Sequence, residues 1–160
     1  MAKPFGRPTG GAPKTYRAPN DQFWQFVQRE LGIMDFYDFS DTLAKVNWNA
    51  DNIPAAIAAA RTLYKPAGKF SVITAQQNKA EIRSAVVRWL DNHYGTQVDR
   101  IYFVSGGEAS IIKGKARILS EQRATSFTDN DLNILKGIQA ELPNLTLYQA
   151  LNGERRQWRP

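Results

Sequence analysis

Asp38 follows the apolar run Ile33-Met34-Asp35-Phe36-Tyr37, and a hydroxyl residue, Thr42, stands four positions beyond it. A carboxylate held at the tip of a buried strand, with a hydroxyl close behind, is an arrangement for phosphoryl transfer. Polar residues recur at the ends of the other apolar runs. Thr74 closes Val72-Ile73-Thr74, Ser105-Gly106-Gly107 follows Ile101–Val104, and Phe127-Thr128-Asp129-Asn130-Asp131 ends the next. Between the last two lies Ile111-Ile112-Lys113-Gly114-Lys115-Ala116, which puts two lysines on one helical stretch. Taken singly, each has a plainer use: a solvated lysine face, or an aspartate capping the next helix.

These residues can meet only if the apolar runs form one sheet. The pattern predicts strands over 33–39, 69–74, 100–104, 124–128 and 145–148, alternating with helices over 52–63, 78–93, 109–120 and 129–141. A further short helix is expected over 21–31, ended by Gly32. Strands alternating with helices of this length imply an α/β fold, a Rossmann-like three-layer α/β/α sandwich on a mainly parallel sheet of about five strands. In such sheets ligands bind beyond the carboxyl ends of the strands, at the topological switch point. That rule selects 38–42, 74–77, 105–107 and 128–131, the same places that carry the polar residues.

Composition narrows the chemistry. The 160 residues suffice for a single core, and 42% apolar with 22% charged residues is ordinary for a globular protein. There is no cysteine, which excludes disulfides, thiolate metal sites and cysteine nucleophiles. The one histidine, His93, sits at an expected helix end, where a cation suits the helix dipole. No apolar run is long enough to span a bilayer, and no hydrophobic leader is evident, so a cytoplasmic or virion-associated protein is expected. The net charge of +6 resides in the ends: Lys3, Arg7, Lys14 and Arg17 in a Pro/Gly-rich segment 1–19, and Arg155, Arg156 and Arg159 against Glu154 in 153–160. Two basic tails on a neutral body, 20–152, suggest nucleic acid or anchorage in a larger assembly.

The segment Asp38-Phe39-Ser40-Asp41-Thr42 resembles the first motif of the haloacid dehalogenase-like (HAD) phosphohydrolases, Asp-x-Asp-x-Thr at a strand end. The resemblance covers roughly residues 33–150. It implies that Asp38 is the nucleophile, that Thr42 orders the loop, and that Thr74 is the phosphate-binding hydroxyl. Lys113 or Lys115 matches the lysine of the third motif. Asp129 matches the fourth, and Mg²⁺ would be held by Asp38, Asp129 and the backbone carbonyl of Ser40. The intervals between motifs are too short for a folded cap, which implies an open site and a large substrate such as a nucleic-acid end.

Ser40 departs from the motif. It stands where the family's phosphatases carry a second aspartate, the general acid/base, a role commonly worth about 10²–10⁴-fold in rate. Asp41 is no replacement, since strand-end geometry points its side chain away from Asp38. Two functions follow: a Mg²⁺-dependent phosphohydrolase with altered chemistry, or a catalytically inactive HAD-like adaptor anchored by its basic tails in a nucleoprotein or virion assembly of phage-like origin.

Overall fold

The computed structural model describes residues 14–17, 34–75 and 79–160. The helix expected over 21–31 lies outside them. Five mutually parallel strands form the centre of the sheet: β2 (Asp35–Tyr37), β5 (Phe70–Ala75), β6 (Val98–Val104), β7 (Ser126–Asp129) and β8 (Thr146–Leu151). Two antiparallel strands flank them, β1 (Lys14–Arg17) on β6 and β9 (Glu154–Trp158) on β8, giving the order β1-β6-β5-β2-β7-β8-β9. From β2 the chain winds outward through β5 and β6, then returns to place β7 on the other side of β2. The switch point therefore lies between β2 and β7, the strands that lead into Asp38 and end at Asp129.

Period-two alternation divides the strands between two cores. Tyr37, Phe70, Val72, Ile101 and Phe103 face one side, under α2 (Ala80–Tyr94) and the short α1 (Ile53–Ala58). Phe36, Ile73, Tyr102, Val104, Phe127 and Leu147 face the other, under α3 (Glu108–Glu121) and α4 (Leu132–Glu141). Buried on both faces, β5 is an apolar run with almost no exposed position, as parallel strands are. This is the expected three-layer α/β/α architecture. Trp89, fully buried on α2, donates its indole N–H to the Ala60 carbonyl at 3.0 Å. His93 stacks on the Trp89 ring in the last turn of the same helix, away from the sheet's carboxyl edge. Among the described residues no helix is long and apolar enough to cross a membrane.

Two expectations need correction. The helix expected over 52–63 ends at Ala58, although alanines continue to Ala60. Beyond it, β4 (Arg61–Thr62) pairs antiparallel with β3 (Ala44–Lys45), and the Trp89 indole takes up the Ala60 carbonyl. Tertiary pairing overrides helix propensity there. The expected basic tail 153–160 contains a strand. Asn152 (φ 50°) and Gly153 (φ 84°) form a two-residue hairpin turn with both central residues at positive φ, the geometry that favours Asn-Gly. Gly153 lies so close to the Leu63 carbonyl that a Cβ there would sit 3.0 Å from its oxygen. Arg155 is then drawn inward. Its guanidinium lies 3.9 Å from the Tyr148 ring centroid and donates to the Tyr37 hydroxyl at 2.9 Å. A planar, weakly hydrated cation suits that aromatic surround, so this arginine serves the fold.

Candidate active site

The first sheet bond past β2 runs from the Asp38 N–H to the Thr128 carbonyl at 2.8 Å, which fixes Asp38 beside the end of β7. The chain then folds tightly: the N–H groups of Thr42, Leu43 and Ala44 all donate to the Phe39 carbonyl. Phe39 and Leu43 are fully buried, and Asp41 absorbs the turn at φ 58°. The Asp41 carboxylate points outward to Lys45, 3.1 Å away, leaving Asp38 alone of the two turned to the interior.

α3 delivers the lysine. A Cβ at Gly114 would lie 3.0 Å from a Val104 methyl, so the helix approaches the sheet closely at the residue next to Lys115. The Lys115 ammonium, 2% exposed, bridges Asp38 Oδ1 at 3.0 Å and Asp129 Oδ2 at 2.9 Å. Positions two apart on a helix do not share a face. Lys113 accordingly points to solvent, its side chain 77% exposed and 3.8 Å from Glu141, and takes no part in the site. Of the two lysines, Lys115 is the one that meets Asp38 and Asp129.

Thr74 is buried near the carboxyl end of β5, the neighbour of β2, and so lies on the same edge of the sheet. Thr42 is buried behind the loop with its hydroxyl oxygen unpartnered, as is Thr128 on β7. Asp131 accepts from the Asn133 N–H and caps α4, while its own N–H donates to Asp129 Oδ1 at 3.0 Å. The plainer reading holds for Asp131, whereas Asp129 belongs to the buried cluster.

Two carboxylates face one ammonium, so the fully ionised cluster carries one uncompensated negative charge. Burial, reinforced by the neighbouring Asp129 carboxylate and opposed by Lys115, pushes the Asp38 carboxyl up to about 7. Burial alone would lower the proton affinity of Lys115. The two carboxylates outweigh it and hold the ammonium charged well above the usual lysine range.

The residues present fit a hard divalent cation. With its amide nitrogen turned inward, Asn130 donates to Asp129 Oδ1 at 3.1 Å and to the Ser40 carbonyl at 3.2 Å. Asp129 Oδ1 and the Ser40 carbonyl thus both lie within reach of one amide group. Two carboxylates and a carbonyl are an oxygen set of the kind Mg²⁺ takes with water completing its shell. Among the described residues no three His, Cys, Asp or Glu side chains gather as a metal site, so a cation bound here would need the carbonyl as a third ligand.

Two participants escaped the sequence. Trp48 donates its indole N–H to Ser40 Oγ at 2.7 Å, a contact that no spacing announces. Asn130, lying between two aspartates, has its role only through the conformation of the β7 end. No family model matches the chain, and no curated protein matches it either.

Proposed function

We propose that the chain is a HAD-like, Mg²⁺-dependent phosphohydrolase with altered acid/base chemistry, acting on an exposed phosphate of a large substrate. The Lys115 ammonium, buried between the carboxylates that end β2 and β7 at the switch point, carries this reading. Asp38, once ionised, attacks phosphorus, and the P–O bond to the leaving group breaks; water then releases phosphate from the aspartyl ester. Lys115 counters the negative charge gathered in that step and holds Asp38 in place. Mg²⁺, held by Asp38, Asp129 and the Ser40 carbonyl, would neutralise charge shared by nucleophile and phosphate. Ser40 can neither give nor take the proton, and its hydroxyl is engaged by Trp48. The leaving group must therefore depart unprotonated or take its proton from solvent. Between β2 and β5 the chain holds only a two-stranded ribbon and α1, which supports an open site.

The same Ser40–Trp48 contact favours the second reading, a non-catalytic module anchored by its basic N-terminal segment. Hydrolysis of an aryl phosphate with Mg²⁺ separates the two. The wild type should turn it over, faster than an alkyl phosphate whose leaving group needs protonation, and Asp38→Asn should reduce turnover to background. If the wild type shows no turnover and Mg²⁺ does not raise its Tm, the phosphohydrolase reading fails and the adaptor remains.

A further inference from the structure

A cleft of about 290 Å³ opens beside the carboxylates, between the β3–β4 ribbon and the β8–β9 turn, lined among others by Lys45, Arg61, Leu63, Asn130, Leu151 and Asn152. It adjoins the candidate active site directly. Asn130 forms part of its lining and also reaches Asp129 and the Ser40 carbonyl, and Asp41, next to Ser40, forms another part. Its volume is at the lower end of small-molecule sites, about 300–1,000 Å³, and suits one nucleotide unit.

The lining carries two cations against one carboxylate. Lys45 and Arg61 are cross-strand partners in the ribbon, and like charges set directly opposite are destabilising. Lys45 is offset only by Asp41 in a solvent-exposed pair, which contributes little, and Arg61 has no carboxylate partner among the described residues. Two facing cations that share one exposed carboxylate at the mouth of a polar cleft are a local conflict of the kind found at binding sites. Apolar surface is also present in the lining, from Leu63, Ala150 and Leu151, and Leu151 is one of two large hydrophobic side chains exposed among the described residues.

We propose that this cleft is a substrate subsite for a nucleotide bearing a second phosphate, with Lys45 and Arg61 holding that phosphate and Leu63 and Leu151 meeting the nucleoside. The proposal rests on the phosphoryl reading of the neighbouring carboxylates and names the substrate class they would act on. A single phosphate offers no ligand to the two cations once it occupies the carboxylate site. A nucleotide with 3′ and 5′ phosphates, or the end of a nucleic-acid strand, offers both. Both sources share one chemistry, a phosphate flanking the reacting one across a nucleoside.

The test is calorimetric titration of the full chain, with Ca²⁺ in place of Mg²⁺ to keep the carboxylates neutralised. The probes are a nucleoside 3′,5′-bisphosphate, the corresponding 5′-monophosphate, fructose 1,6-bisphosphate and a 3′-phosphorylated dinucleotide. The nucleoside bisphosphate should bind at least tenfold more tightly than the monophosphate, and that ratio should fall to about one in Lys45→Ala/Arg61→Ala. A dinucleotide that binds more tightly than the bisphosphate would identify a strand end as the source; a weaker one would identify the free nucleotide. A ratio near one in the wild type, or a ratio retained in the double variant, overturns the subsite. Fructose 1,6-bisphosphate binding as tightly as the nucleoside bisphosphate overturns the nucleotide assignment. Binding is read apart from turnover. Loss of aryl-phosphate hydrolysis with the ratio intact counts against the phosphohydrolase alone, and loss of the ratio with hydrolysis intact against the subsite alone.

Discussion

Lys115→Met should cost about 3–5 kcal/mol of folding free energy, because it leaves two buried carboxylates facing each other without their cation. Domains of this size are stable by only about 5–15 kcal/mol, so the variant should be marginal or unfolded at 37 °C. The loss arises from uncompensated charge more than from lost packing. Methionine reproduces most of the lysine stem, and the Phe127 ring below it remains. Neutralising the partners should therefore rescue the fold. Lys115→Met combined with Asp38→Asn and Asp129→Asn should return to within about 1–2 kcal/mol of wild type, a strongly non-additive result. Denaturant midpoints measure each term. A loss below about 1 kcal/mol in the single variant would show that the bridge does not hold the strand ends together.

The second large effect is a gain. Ser40→Asp should raise kcat/KM for alkyl phosphates by about 10²–10⁴-fold if it restores a general acid/base. Trp48 complicates that restoration. Its indole N–H, now given to Ser40 Oγ, would donate to the new carboxylate and favour its charged form. The single variant should therefore show the smaller gain and Ser40→Asp/Trp48→Phe the larger one, together with a new basic limb in the pH–rate profile. Absence of any gain in both variants would mean that residue 40 does not face the leaving group.

The same cluster gives stability a pH dependence of definite sign. An Asp titrates near 3.9 in an unfolded chain. In the fold, Asp38 is raised to about 7, chiefly by burial. The folded state thus binds the extra proton between those values. The contribution of Asp38 to stability is fully present below about pH 4 and is lost as pH rises through about 7. Removing the group as Asp38→Asn should flatten the stability profile across pH 4–7 in metal-free buffer; an unchanged slope would remove Asp38 as its source.

The three-layer fold was legible because its signals are periodic. Val72-Ile73 and Ile101–Val104 read as buried strands, and the amphipathic run around Ile82, Val86 and Leu90 as a helix, without knowledge of neighbours. Asp38 and Asp129 were legible by their strand-end positions and Lys115 as one of two lysines on a helix, and the three do meet. What separated Lys115 from Lys113 was helix phase relative to the sheet, which is fixed by the Gly114–Val104 approach and by no feature of the lysines themselves. The β3–β4 ribbon was hidden because two-residue strands carry no period and alanine favours helix. The last strand was signalled by Asn152-Gly153, a hairpin dipeptide, but the arginines after it read as a solvated tail. The inward placement of Arg155 is intelligible only once Tyr37, Tyr64 and Tyr148 stand together.

The two antiparallel strands that flank the sheet have a consequence for self-association. A parallel sheet ending at β6 or β8 would present a row of unpaired backbone N–H and C=O groups, a template for pairing with another chain. Here each outer place is taken by a short antiparallel strand, β1 beside β6 and β9 beside β8, and β9 carries the exposed charges of Glu154 and Arg156. Strand addition at the β9 rim would have to bring a second chain against those charges and desolvate them. Arg155, which closes the aromatic cluster, thus belongs to a strand that also shields the hydrophobic centre of the sheet from edge-to-edge aggregation.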